Sequence, residues 1–179
     1  MELTQVILVD VNDRQAGVME KIEAHEKGLL HRAFSVFIFN KKGEMLLQQR
    51  AISKYHSGGL WTNACCSHPY PGEITIDAAK RRVKEELGFE TPIEKIFDFV
   101  YKADFDNGLT EHEFDHVFVG EYEGRIDFNM EEVMDTCYKD VQEVRQSLKT
   151  NPQKYTAWFH LAFPKIESWW DERYNNKVV

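Results

Sequence analysis

The stretch from Thr75 to Leu87 constrains the fold most. It places Ile76, Ala79, Val83 and Leu87 at three- and four-residue spacing, with Gly88 just beyond the last of them. That is the pattern of a helix with one apolar face, ended by a residue suited to a left-handed cap. Around it the chain switches to short apolar, β-branched and aromatic runs at 5–11, 33–40, 45–49, 93–103 and 113–122, which read as strands. Lys41-Lys42-Gly43 and Asp106-Asn107-Gly108 supply turns, and from about Asp140 the chain reads as helical, with a break at Asn151-Pro152. Residues 55–72 carry Gly58, Gly59, Pro69 and Pro71 and read as one long irregular loop. Loops of that length usually have a function. With no repeat, low-complexity tract or linker, the expectation is a single domain over 1–179, of layered α/β type.

The net charge of -8 excludes binding to nucleic acid through a general basic field. An anionic ligand would need a local group of cations or a bound metal ion. Cys65, Cys66 and Cys137 are odd in number and two are adjacent. They make a poor disulfide framework and suit a reducing compartment. The segment MELTQVILVDVND has no basic region followed by an apolar core, and no apolar run is long enough to span a bilayer. A cytoplasmic protein without a membrane partner is expected.

The segment EITIDAAKRRVKEELGF, Glu73 to Phe89, resembles the Nudix signature. Glu73, Arg81, Val83, Glu85, Glu86 and Gly88 match it; Ser67 stands where the first glycine belongs, and Arg82 replaces a glutamate. Carboxylates on one helix offer hard oxygen ligands to Mg²⁺, which bridges a diphosphate. The same composition also suits a solvated face with ion pairs at helical spacing, and the helix alone leaves the two readings even. Of its glutamates, Glu86 is the better metal ligand and Glu85 the poorer.

His25 and His31 lie in AHEKGLLHRAFSVFIFN, His68 in TNACCSHP, and Glu111 and Glu113 in TEHEFDHVF. Residues two apart on a strand share a face, so both glutamates point the same way. Three imidazoles and two carboxylates suit Mn²⁺, Mg²⁺ or Zn²⁺, with octahedral geometry if a sixth ligand enters. A lone histidine is more often a surface or outer residue. His56, His112, His116 and His160 are read so, with His112 and His116 facing away from the two glutamates.

The strings GLLHRAFSVFIFN, LLQQR, WTNACCSHP, EELG and EHE, in this order, resemble those of the type I isopentenyl-diphosphate isomerases, from about Lys21 to about Trp158. The resemblance implies a Nudix-like mixed β-sheet sandwiched between helices, with a core at about 30–165. It implies a metal site of His25, His31, His68, Glu111 and Glu113. It also implies a second, diphosphate-bridging Mg²⁺ at Glu86, with the main-chain carbonyl of Cys66 as a further possible ligand. Cys66 and Glu113 correspond to the family's acid/base pair and Tyr101 to a tyrosine assisting the glutamate. Trp158 corresponds to an indole beside a carbocation, and Lys21, Arg50 and Lys54 to cations on the diphosphate. Arg82 is a further candidate there. Cys65 is left a structural role as a small buried hydrophobe.

The implied reaction is reversible isomerisation of isopentenyl diphosphate to dimethylallyl diphosphate, with a small-molecule substrate and a monomer or weak homodimer. Two rivals remain. Glu85 and Glu86 favour a Nudix hydrolase of nucleoside diphosphate derivatives, while Arg82, Cys66 and the Glu111-His112-Glu113 triplet oppose it. A non-catalytic binding module would have no need of the acid/base pair.

Overall fold

A computed structural model of the chain describes residues 4–175. Residues 1–3 and 176–179 of the expected 1–179 span lie outside the described residues. In chain order the elements are β1 (Gln5–Val9), β2 (Gln15–Glu20), α1 (Lys21–Lys27), β3 (His31–Phe39), β4 (Met45–Arg50), β5 (Trp61–Thr62), β6 (Cys65–Ser67), α2 (Thr75–Leu87), β7 (Ile93–Asp104), β8 (Thr110–Glu121), β9 (Val133–Lys139), α3 (Val141–Thr150) and α4 (Ala157–Trp170). A short 3₁₀ turn, Pro152–Lys154, separates the last two helices.

The sequence HRAFSVFIF makes β3 the centre of the sheet, because it is buried on both faces. Phe34, Val36 and Ile38 pack with Ala78, Ala79, Val83 and Leu87 of α2. On the opposite face Phe37 and Phe39 join Val117 and Val119 of β8, Val141 and Val144 of α3, and Phe159, Phe163 and Ile166 of α4. Each such aromatic or aliphatic side chain gains about 1.5–3 kcal/mol from full burial. The sheet is therefore held between α2 on one side and α3 with α4 on the other. It is mixed: β3 pairs parallel with β8, whereas β7 pairs antiparallel with β8, β4 with β9, and β6 with β3.

Three registers place chemistry at one end of this sheet. His31 stands opposite Glu113, Tyr101 opposite Glu113, and Ser35 opposite Cys66. Side chains alternate along β6, so Cys65 enters the α2-side core while Cys66 points to the other face.

Helix α2 spans the residues its periodicity predicts, and Gly88 caps it with φ 76°. An alanine Cβ there would also come within 2.4 Å of the Asp127 carbonyl oxygen. Other expectations need correction. The loop expected over 55–72 contains β5 and β6, and α1, β2 and β9 were not expected. β2 and β9 are largely exposed or half-buried, so they show no apolar alternation, and α1 has only seven residues, too few for a repeating pattern. Pro164 lies inside α4. No helix among the described residues is long and apolar enough to cross a membrane.

Candidate functional site

The site is a cleft of about 180 Å³ bounded by Cys66, His68, Tyr101, Glu111, Glu113 and Trp158 at its inner end and by Lys21, Arg50, Lys54, Arg81, Arg82 and Glu132 at its rim. That is small beside the roughly 300–1,000 Å³ of pockets that enclose drug-sized ligands.

At the inner end, β8 turns Glu111 and Glu113 to one side. Tyr101 donates its hydroxyl to Glu113 Oε2 at 2.6 Å and stands 3.1 Å from Glu111 Oε2. His68 Nε2 lies 2.9 Å from Glu113 Oε1, and His31 Nε2 lies 3.6 Å from the same oxygen. Burial alone would raise the Glu113 carboxyl, but the imidazoles of His31 and His68 outweigh it and hold Glu113 well below the usual range. Glu111, pushed up by burial and then by the Glu113 charge, is held well above it.

His25 and His31 each fix the Nδ1 edge with a main-chain carbonyl, Lys21 O at 2.7 Å and Leu29 O at 2.8 Å. Both therefore turn Nε2 inward, the arrangement in which metal-binding histidines are commonly held. Burial, followed by the neighbouring His31, lowers His25 to about 4. Burial lowers His68 to about 3, against the opposing effect of Glu113. Neutral imidazoles are the metal-binding form. The donor atoms of His25, His31, His68 and Glu113 lie within 4.8 Å of one another, and those of His25, His56 and Glu111 form a second such group. His25 Nε2 is buried with no hydrogen-bond partner. This donor set fits a divalent cation.

The expected five ligands thus fall into two overlapping groups, with Glu111 beside His56. His56 is no surface residue: it is 6% exposed, with Nε2 3.1 Å from Glu111 Oε1, a position beside a proposed ligand. His112 and His116 face away, toward the Gly28 carbonyl and Asp13 respectively.

Cys66 Sγ accepts from Trp158 Nε1 at 3.1 Å and donates to Asn63 Oδ1 at 3.0 Å, with Ser35 Oγ 3.4 Å away. Asn63 uses its amide nitrogen on the carbonyls of Val36 and Cys65, so only its oxygen can face the thiol. Burial, then the nearby Asp115 carboxyl, pushes the thiol up, so it carries its proton at neutral pH. Asp115 itself is raised by burial and by Glu113 and accepts from Ser35 at 2.7 Å. Nothing in the sequence pattern singled out Asn63, Ser35 or Asp115, because none falls at a spacing that marks a site.

At the rim, Arg82 reaches Glu86 Oε1 at 2.5 Å, Glu85 at 2.9 Å and Glu132 at 3.3 Å, and Lys54 pairs with Glu132. Glu86 is buried and also accepts from Gln48 at 3.0 Å, whereas Glu85 lies outside on the helix with Arg81 and Arg82. Lys21 is lowered to about 8 by burial, then by Lys54, Arg50 and Arg82. Arg50 stacks its guanidinium 5.1 Å from the Trp158 ring. Glu132 was not anticipated either.

The NUDIX domain family matches residues 29–159. The isopentenyl-diphosphate Delta-isomerase of Pectobacterium atrosepticum is 50% identical over 170 residues, covering 95% of this chain and 95% of that protein. Isopentenyl-diphosphate Delta-isomerase 2 of Aromatoleum aromaticum is 46% identical, covering 92% of this chain and 87% of its own. In three dimensions the chain is similar to the MutT protein of Methanosarcina mazei, with TM-score 0.64, 19% identity, and 83% and 96% of the two chains covered. A Deinococcus radiodurans protein gives TM-score 0.69 at 17% identity, with 82% and 90% covered. At such identities the structural matches speak to the fold alone.

Proposed function

Because this chain belongs to the NUDIX-domain isopentenyl-diphosphate Delta-isomerases, we propose that it converts isopentenyl diphosphate reversibly to dimethylallyl diphosphate by protonation and deprotonation of the alkene. The observation that carries the site assignment is that Cys66 and Glu113 line one small cleft whose rim is cationic. One group adds a proton to the terminal alkene carbon, giving a tertiary cation at the substituted carbon; the other removes a proton from the methylene next to that cation, on its diphosphate side. No other bond forms or breaks, so the sum of atoms and charge is unchanged.

The Cys66 thiol carries a proton, and Glu113 is held ionised, so the free enzyme presents one donor and one acceptor. Tyr101, itself raised by burial and the two carboxylates, stays protonated and orients Glu113. Trp158 turns its indole N–H to the thiol; an aromatic face attracts a cation without adding to it as water would. Lys21, Arg50, Lys54 and Arg82 bind the diphosphate. His25, His31, His68, Glu111 and Glu113 would hold Mn²⁺, Mg²⁺ or Zn²⁺, which would supply a fixed positive charge beside the glutamates. Glu86, now paired with Arg82, would hold a Mg²⁺ ion, which would supply positive charge to the diphosphate. The chain acts as one domain, as a monomer or weak homodimer, on a small molecule, in the cytoplasm and apart from nucleic acid and membrane.

The test is an NMR assay of the purified protein with isopentenyl diphosphate and Mg²⁺ in deuterated water. Dimethylallyl diphosphate carrying solvent deuterium is expected. Release of phosphate from nucleoside diphosphate derivatives, without isomer formation, would instead support hydrolysis. Against hydrolysis stands Arg82 in the place of a glutamate, paired with both Glu85 and Glu86.

A further inference from the structure

His56 lies in the connection between β4 and β5. Its ring stacks on Phe105 with centroids 4.7 Å apart and 12° between planes, and meets Trp158 edge-on. Its side chain is 3% exposed. On one edge Nδ1 stands 3.2 Å from Ser57 Oγ. On the other, Nε2 is buried without a hydrogen-bond partner, although Glu111 Oε1 is 3.1 Å away. The two atoms are close but not aligned for a hydrogen bond, and an orphaned buried ring nitrogen is costly.

That spacing belongs to a different geometry. Adjacent donors around an octahedral ion bound at about 2.1–2.2 Å stand about 3.0 Å apart, and opposite ones about 4.3 Å. The His56–Glu111 pair is at 3.1 Å, His31 and His68 Nε2 are 3.2 Å apart, and His68 is 2.9 Å from Glu113. The two overlapping groups share His25, whose Nε2 is likewise orphaned. Together they contain six residues, in two groups whose donor atoms do not all lie within 4.8 Å of one another, so a single ion must draw the two groups together.

We propose that His56 Nε2 is the sixth ligand of the metal centre, closing an octahedron with His25, His31, His68, Glu111 and Glu113. This deepens the reading of the His/Glu cluster as a metal centre and rests on it. Four imidazoles and two carboxylates favour a first-row ion such as Mn²⁺ or Zn²⁺ over Mg²⁺, which prefers oxygen. Six protein ligands leave no open position for water. The ion is then a positioning charge for the two glutamates and generates no hydroxide, which suits a cleft where water would quench a cation.

The test uses the full chain, stripped with a chelator and reloaded with Mn²⁺. Stoichiometry and affinity are measured by calorimetry, and ligating histidine nitrogens are counted by pulsed electron paramagnetic resonance. The wild type should bind one ion per chain with four histidine nitrogens. His56→Ala should show three, gain a bound-water signal, and bind Mn²⁺ weaker by at least the roughly 10–100-fold typical of losing an outer partner. His56→Phe keeps the stacking on Phe105 and should behave alike, which separates lost ligation from lost packing. His160→Ala, at the exposed end of a hydrogen bond to the Pro152 carbonyl, should change neither quantity. Four nitrogens retained in both His56 variants, or only three in the wild type, would overturn the assignment while leaving the metal centre standing. A wild type that takes up no ion would overturn the metal-centre reading itself.

Discussion

At the inner end of the cleft, Glu113 is fixed by Tyr101 of β7 and by His68, which follows β6, and Cys66 by Trp158 of α4 and by Asn63, which lies between β5 and β6. At the rim, Arg82, Lys54 and Lys21 come from α2, from the β4–β5 connection and from the start of α1. They share one counter-charge, Glu132, and Lys21 is lowered first by burial and then by its cationic neighbours. The inner end is buried, and Glu113 and Cys66 are each held by several hydrogen bonds. The rim is partly wet and its cations overlap in task. Losses inside should therefore fall on turnover, and losses at the rim on binding.

The strongest way to break that contrast is Cys66→Ala or Glu113→Gln. Each should lower kcat by about 10²–10⁴-fold with little change in KM, because neither group can take over the other's proton. Metal content must be measured beside activity for Glu113→Gln, since it is also a proposed ligand; Cys66→Ala should leave it unchanged. Turnover above a tenth of wild type in Cys66→Ala, measured by deuterium incorporation, would remove the thiol from the mechanism.

Glu86→Gln addresses the rim. It should raise KM and the Mg²⁺ concentration at half-saturation about tenfold, the size of one lost charge-assisted interaction. The fold should survive, because Glu and Gln have similar helix propensity. An unchanged Mg²⁺ titration would free Glu86 from that role.

A smaller effect follows from Lys21. Its ammonium is charged below about 8 and neutral above, so diphosphate binding should weaken, and KM rise severalfold, as pH increases through that value. In Lys21→Met the step should vanish and KM stay high across the range. A pH profile of KM that is flat in the wild type would show that the rim cations act independently.

Cys65→Ala should barely move kcat or KM. Its sulfur is packed in the α2-side core with Ala78 and Val83, so the loss should appear as about 1 kcal/mol of stability, or roughly 2–4 °C in Tm. Loss of turnover in this variant, with Cys66→Ala active, would reverse the roles of the two thiols.

Much of this molecule was legible in the chain. The apolar spacing of α2, the glycine that ends it, the buried run of β3 and the two-residue spacing of Glu111 and Glu113 are local patterns, written within a few turns or pleats. So were the ligand types and the cysteine motif that carry the family resemblance. Short or exposed elements such as α1, β2 and β9 left no such pattern, because they bury too little apolar surface to require one. The site's membership was less local still. Only the pairing of β6 with β3 turned Cys66 toward Asn63 and Trp158 and Cys65 into the core. Only the folding of the β4–β5 connection over β8 brought His56 to Glu111. Ser57, at φ 54°, and Gly58, where a Cβ would lie 2.5 Å from the Ile52 carbonyl oxygen, mark how tightly that connection is bent. A sequence specifies periodicity through neighbours along the chain. It reveals a contact between distant residues only when strand register and packing have fixed which side chains face one another, and that is the level at which His56 enters the site.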